Sequence, residues 1–185
     1  MKRPTWIVLV IFLALVGLIL YLNQKEPAPT EADATATIAP VEFLFSDNDG
    51  LPTSIDIQGK TSEQQTVLAR NEAGVWVLTK PIASEADQAS AEEAASQVTS
   101  LRIESRLEVA PEAAGLIQPA YTLAVETTSG TKKTVRIGDL SPTGIGYYAT
   151  VDGSAETLII GRTGLDALIT LLESPPISVP ATNTP

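Results

Sequence analysis

Apolar residues along this chain follow three regimes in turn. Residues 6–22, WIVLVIFLALVGLILYL, are apolar throughout and carry no charge. Residues 23–40, NQKEPAPTEADATATIAP, mix Ala, Thr, Glu and Pro with no apolar period. From residue 41 the pattern breaks into short runs, VEFLF (41–45) first, then the turn-rich DNDGLP (47–52). In SIDIQ (54–58) Ile55 and Ile57 alternate with polar neighbours, the period of two of a half-buried strand. QTVLAR (65–70) and VWVLT (75–79) read as strands joined through NEAG, a turn with Gly74. Pro81 has no N–H to give a ladder, so the strand carrying Trp76 is expected to end there. Ser84 and Asp87 form a capping-box-like pair ahead of a helix on which Ala91, Ala94, Val98 and Leu101 make one narrow apolar stripe.

RIESRLEV (102–109) alternates again, and APEAAGLIQPA (110–120) is a connector. The plan then repeats. YTLAVET (121–127) and KKTVRIG (132–138) flank a hairpin tip at Gly130, and GYYATV (146–151) and ETLIIG (156–161) flank DGSA. Thr163 with Asp166 is expected to cap a helix whose Leu165, Leu168, Ile169 and Leu172 fall at i, i+3, i+4, i+7. The pattern predicts an α+β domain over residues 41–173. Antiparallel sheets carry packed helices, arranged as two strand-strand-strand-helix halves.

The apolar run is expected to be one transmembrane helix. At 1.5 Å per residue, 17 residues span ~26 Å, near the ~30 Å hydrocarbon core. Trp6 and Tyr21 sit at its ends, where amphipathic rings prefer the interface. Lys2 and Arg3 precede it, while Glu26, Glu31 and Asp33 outnumber Lys25 beyond it. The positive-inside rule then places residues 1–5 in the cytoplasm and the later domain outside, at the cell membrane. A cleaved signal peptide would have a shorter apolar region and a nearer small-x-small site, so an uncleaved anchor is expected. Residues 23–40 and the proline-rich 174–185 are expected to be unstructured, the first as a linker reaching up to ~55 Å.

Charge narrows the function. The chain carries 12 Lys and Arg against 22 Asp and Glu, net −10, and without Lys2 and Arg3 the rest stands at −12. Such a surface is repelled by phosphate backbones, so no nucleic-acid partner is expected. With no Cys and no His, disulfides, thiolate chemistry and histidine catalysis or ligation are excluded for these residues.

Four clusters invite chemistry. Asp47, Asp49 and Asp56 hold carboxylates for a calcium loop, but Phe45 stands where an EF-hand needs its first acid, and Asp and Asn before Gly are ordinary turn residues. Ser129 and Lys132 match S-x-x-K, yet Gly130 puts them on a hairpin tip rather than a helix start. Glu92 and Glu93 read as a solvated helix face. GDLSPTGIGYY (138–148) is the expected partner or ligand loop, carried by Asp139, Gly144, Gly146, Tyr147 and Tyr148. Tyr147 and Tyr148 point to opposite faces, so one of them is expected in the core. No catalytic, cofactor or metal residues are assigned.

Several of these stretches together resemble a family. They are W-x-L-x-x-P at Trp76, Leu78 and Pro81, A-D at Ala86 and Asp87, SLRIESRL at 100–107, G-L-x-x-P at Gly115, Leu116 and Pro119, and VRIGD with SPTGIGYY at 135–148. In order and spacing they are similar to the bacterial domain-of-unknown-function family numbered 4340, over about residues 41–172. The resemblance implies a membrane-anchored extracytoplasmic unit, in some relatives an auxiliary component beside ABC-type transporters, including systems linked to gliding motility. It implies an accessory role with a membrane-protein partner and no catalytic residues. The expected function is therefore an interaction domain, with a solute- or ion-binding module as the alternative and an enzyme disfavoured.

Overall fold

The computed structural model describes Phe12 and residues 41–178 apart from Ser62. Among the described residues no helix is long and apolar enough to cross a membrane. The predicted span at 6–22, Phe12 excepted, the flank 1–5, the linker and residues 179–185 lie outside them.

The ten strands are β1 (Glu42–Phe43), β2 (Pro52–Gln58), β3 (Gln65–Arg70), β4 (Trp76–Lys80), β5 (Ser84–Glu85), β6 (Arg102–Leu107), β7 (Tyr121–Thr127), β8 (Lys132–Leu140), β9 (Gly146–Val151) and β10 (Thr157–Gly161). Among the described residues from 41 onward the two α-helices are α1 (Gln88–Thr99) and α2 (Arg162–Glu173). The predicted α+β class holds, but the strands form one sheet rather than several, ordered β1-β6-β10-β9-β8-β7-β2-β3-β4-β5 and antiparallel throughout. β2 and β7 make the join. Ile55 pairs with Val125 and Ile57 with Leu123, and all four side chains are buried. Five strands rather than three precede each helix, β1–β5 before α1, where Ser84–Glu85 adds a short rung beside β4, and β6–β10 before α2. From the β2–β7 seam each half meanders outward, so the central order is symmetric about it. β6 is the exception: it follows α1 yet pairs with β10.

One face of the sheet holds the core. Trp76, Leu78, Leu68, Ile55, Val135, Ile137 and Ile160 meet Ala91, Ala94 and Val98 of α1 and Leu165 and Leu168 of α2. The alanine stripe works as its spacing implies, small side chains letting α1 lie close to the sheet. Ile169 and Leu172 of the second stripe are partly buried against the same core. Trp76 is fully buried, and the Arg70 guanidinium stacks 4.4 Å from its ring centroid. The strand does end before Pro81.

Both predicted helix starts need correction. Asp87, not Ser84, is the N-cap of α1, its Oδ1 accepting from the Ser90 N–H at 2.8 Å. α2 begins at Arg162 without a side-chain cap, and Asp166 bonds elsewhere. In VEFLF only Glu42–Phe43 is strand; Leu44 and Phe45 leave the edge and bury in the core. Beyond α2, where composition predicts an unstructured tail, Ile177 bridges Ala86 and Ser178 donates to the Glu85 carbonyl.

Candidate interaction surface

The registers place the end of β2, the start of β3, the end of β4, the start of β7, the end of β8, the start of β9 and the end of β10 at one end of the sheet. Of the exposed large apolar residues, Ile82 (66% exposed), Ile117 (62%) and Ile145 (52%) stand on connections there and Leu140 ends β8, while Leu51 (66%) and Val75 stand at the opposite end. Phe43, paired with Arg102 at the start of β6, is half exposed at the same end. Ile82 and Ile145 stand on short turns and Ile117 on the longer 108–120 connection, and such exposed aliphatic side chains suit contact with another surface.

The turn between β8 and β9 is built rigidly. Gly144 has φ +70°, and its N–H donates to the Ser141 carbonyl while Ser141 N–H donates to Gly146. Gly146 is required for a different reason: a Cβ there would lie 2.2 Å from the Ile160 carbonyl oxygen. The Arg162 N–H donates to the Ile145 carbonyl at 3.1 Å, fastening the turn to the start of α2. The Tyr147 hydroxyl donates to Asp166 Oδ1 at 2.7 Å, and Arg162 Nε donates to Asp166 Oδ2 at 2.8 Å. Burial and the Asp166 carboxylate push the Tyr147 hydroxyl up to about 12. Burial alone would raise Asp166, but the bonds from Tyr147 and Arg162 outweigh it and hold the carboxyl below its usual range. Beside this turn lies a recess of about 160 Å³ lined by Ile145, Arg102, Glu104, Arg162 and Thr163, among others.

The five residues expected to form the loop site are therefore dispersed. Gly144 and Gly146 shape the turn and Tyr147 braces it against α2. Tyr148 faces the other side of the sheet, opposite Ile159. Asp139 is exposed, its N–H donating to the Ala114 carbonyl at 3.0 Å beside Gly138, where a Cβ would collide with that same oxygen. None of the five lines the recess. The residue that does present itself is Ile145, an exposed aliphatic between two glycines, a signal present in the sequence as G-I-G.

The other clusters have structural occupations. Asp49 accepts from the Lys133 ammonium at 2.8 Å and from the Ser46 N–H, and these bonds hold its carboxyl below the usual range against its partial burial. Asp56 accepts from Gln65, so it does not join Asp49 around one point. Ser129 donates to the Asp49 carbonyl at 2.7 Å on the hairpin tip, while Lys132 opens β8 exposed. Glu92 is not merely solvated: Arg70 grips both its carboxylate oxygens at 2.7 and 2.9 Å.

Comparison with known proteins gives one match. The family model described as Domain of unknown function (DUF4340) matches residues 76–173. This stretch runs from the buried tryptophan of β4 to the last residue of α2. No curated protein and no solved structure matches the chain.

Proposed function

Because the chain belongs to the DUF4340 family, we propose that it is an accessory interaction domain, anchored by residues 6–22 and displayed outside the cytoplasm, whose role is to bind. The observation that supports this best is the set of aliphatic tips, Ile82, Ile117, Leu140 and Ile145, at one end of the sheet. A rigid turn offering an apolar side chain loses little entropy on docking, which favours contact surfaces of modest size. Tethering does the rest. An anchor raises the effective concentration near a partner in the same membrane, so a weak interface suffices. An ABC-type transport complex is the partner the family resemblance suggests. The solute- or ion-binding alternative has less behind it, since Asp49 already pairs with Lys133 and the side chains of the 138–148 turn diverge.

Two measurements on cells test the reading. Protease added to intact cells should cleave the domain, and in-cell crosslinking followed by gentle detergent extraction should recover a membrane protein reproducibly. A domain reached only after the cells are opened, or no membrane protein recovered, would refute it.

A further inference from the structure

A second surface lies where the two helices meet the chain that follows them, beside the core. α1 and α2 pack on one another, and the chain after α2 returns past the start of α1, with Asp87 N–H donating to the Pro176 carbonyl. Between them runs an open groove of about 740 Å³, within the ~300–1,000 Å³ of small-ligand clefts but without their enclosure. Its floor is small or apolar, with Ala94, Ala167 and Leu171, and Ile177 stands half exposed at its end. Its charge is of one sign. Asp87 and Glu93 line it, and no Lys or Arg does. Glu93 has no salt-bridge partner among the described residues, while its neighbour Glu92 takes Arg70. The last turn of α2 and the first turn of α1 both line the groove, so the two helix ends contribute opposite partial charges and the carboxylates set its sign.

We propose that this groove docks a cationic amphipathic helix of the membrane partner. Exposed Ala167, with buried Ala94 facing it, gives a third helix room to approach, Leu171 and Ile177 receive its apolar residues, and Glu93 and Asp87 receive its Lys or Arg. The inference rests on the interaction reading above and names the chemistry of the partner, on a face distinct from the Ile145 turn.

The test uses the full-length chain in cells, with a photo-crosslinking side chain placed at Thr170 in the groove or at Ile145 on the turn. The partner peptide joined at Thr170 is identified by mass spectrometry. The expected peptide carries more Lys and Arg than Asp and Glu, with apolar residues at helical spacing. Ala167→Trp, which fills the groove from an exposed position, and Glu93→Lys should each lower the yield at Thr170 about tenfold. Thermal unfolding of both variants checks that they remain folded. A neutral or acidic partner peptide, or an undiminished yield with folded Ala167→Trp, overturns the inference. Adducts at Ile145 without any at Thr170 overturn it and leave the interaction reading standing. Adducts at neither position overturn both.

Discussion

Tyr147 donates its hydroxyl to Asp166, and that one bond ties the β8–β9 turn to α2. Tyr147→Phe should lower stability by about 1 kcal/mol, seen as a fall in Tm of roughly 2–8 °C, because the partly buried Asp166 loses a donor. The same tyrosine sets an alkaline limb. Its hydroxyl ionises near 10 unfolded and at about 12 folded, so its contribution is complete below pH ~10 and disappears as pH rises towards 12. Stability measured across that range should fall less steeply in Tyr147→Phe than in the parent. Asp49 behaves in the opposite sense. Lys133 and Ser46 hold its carboxyl below the usual range, so its contribution is complete above pH ~4 and is lost as pH falls through its folded value. Lys133→Met should remove most of that acid limb and cost about 1–3 kcal/mol in denaturant titrations, since Leu44 and Asp49 both lose the ammonium.

At the scale of elements, α1 depends on its first turn. Asp87→Ala should cost about 1 kcal/mol, with Ser84→Ala near neutral by comparison, and chemical denaturation of the two variants separates the caps. This is also where sequence reading reaches its limit. The stripe Ala91, Ala94 and Val98 was legible because helical period and burial express the same geometry, whereas Leu101, expected on the same helix, is buried beyond its end at Thr99. The capping residue was not, since S-E-A-D offers two acceptors and only the path of β5 decides which meets a free N–H. Trp76 as core and Pro81 as a strand stop were legible locally. The Ile55–Val125 seam was not, because pairing between strands so far apart in the chain leaves no trace in the period of either. The turn at 138–148 was found by composition, and of its five marked residues Gly144, Gly146 and Tyr147 shape or brace the turn, while Asp139 is exposed and Tyr148 faces the other side of the sheet. Glycines and tyrosines that hold a turn look the same in sequence as those that offer it to a partner.

Across the molecule, two meanders spread from one seam and place both helices on a single face, leaving aliphatic tips at one end and an acidic groove on the outside. Among the described residues most of the arginines and lysines are paired within the fold, while most of the carboxylates are not. Arg106 pairs with Glu42 and Glu156, Arg136 with Asp152, Arg162 with Asp166 and Lys133 with Asp49. On the reading proposed above, the chain acts through shape and apolar contact, which is the central claim of the account. The most direct test compares the membrane protein recovered with the full-length chain from crosslinked cells with that recovered with a Leu140→Asp, Ile145→Asp double variant. Both changes fall at exposed positions, so the variant should unfold within a few degrees of the parent. The account predicts that recovery falls at least about tenfold, as when the apolar centre of an interface is made charged. Undiminished recovery of the same partner by the folded variant would contradict it.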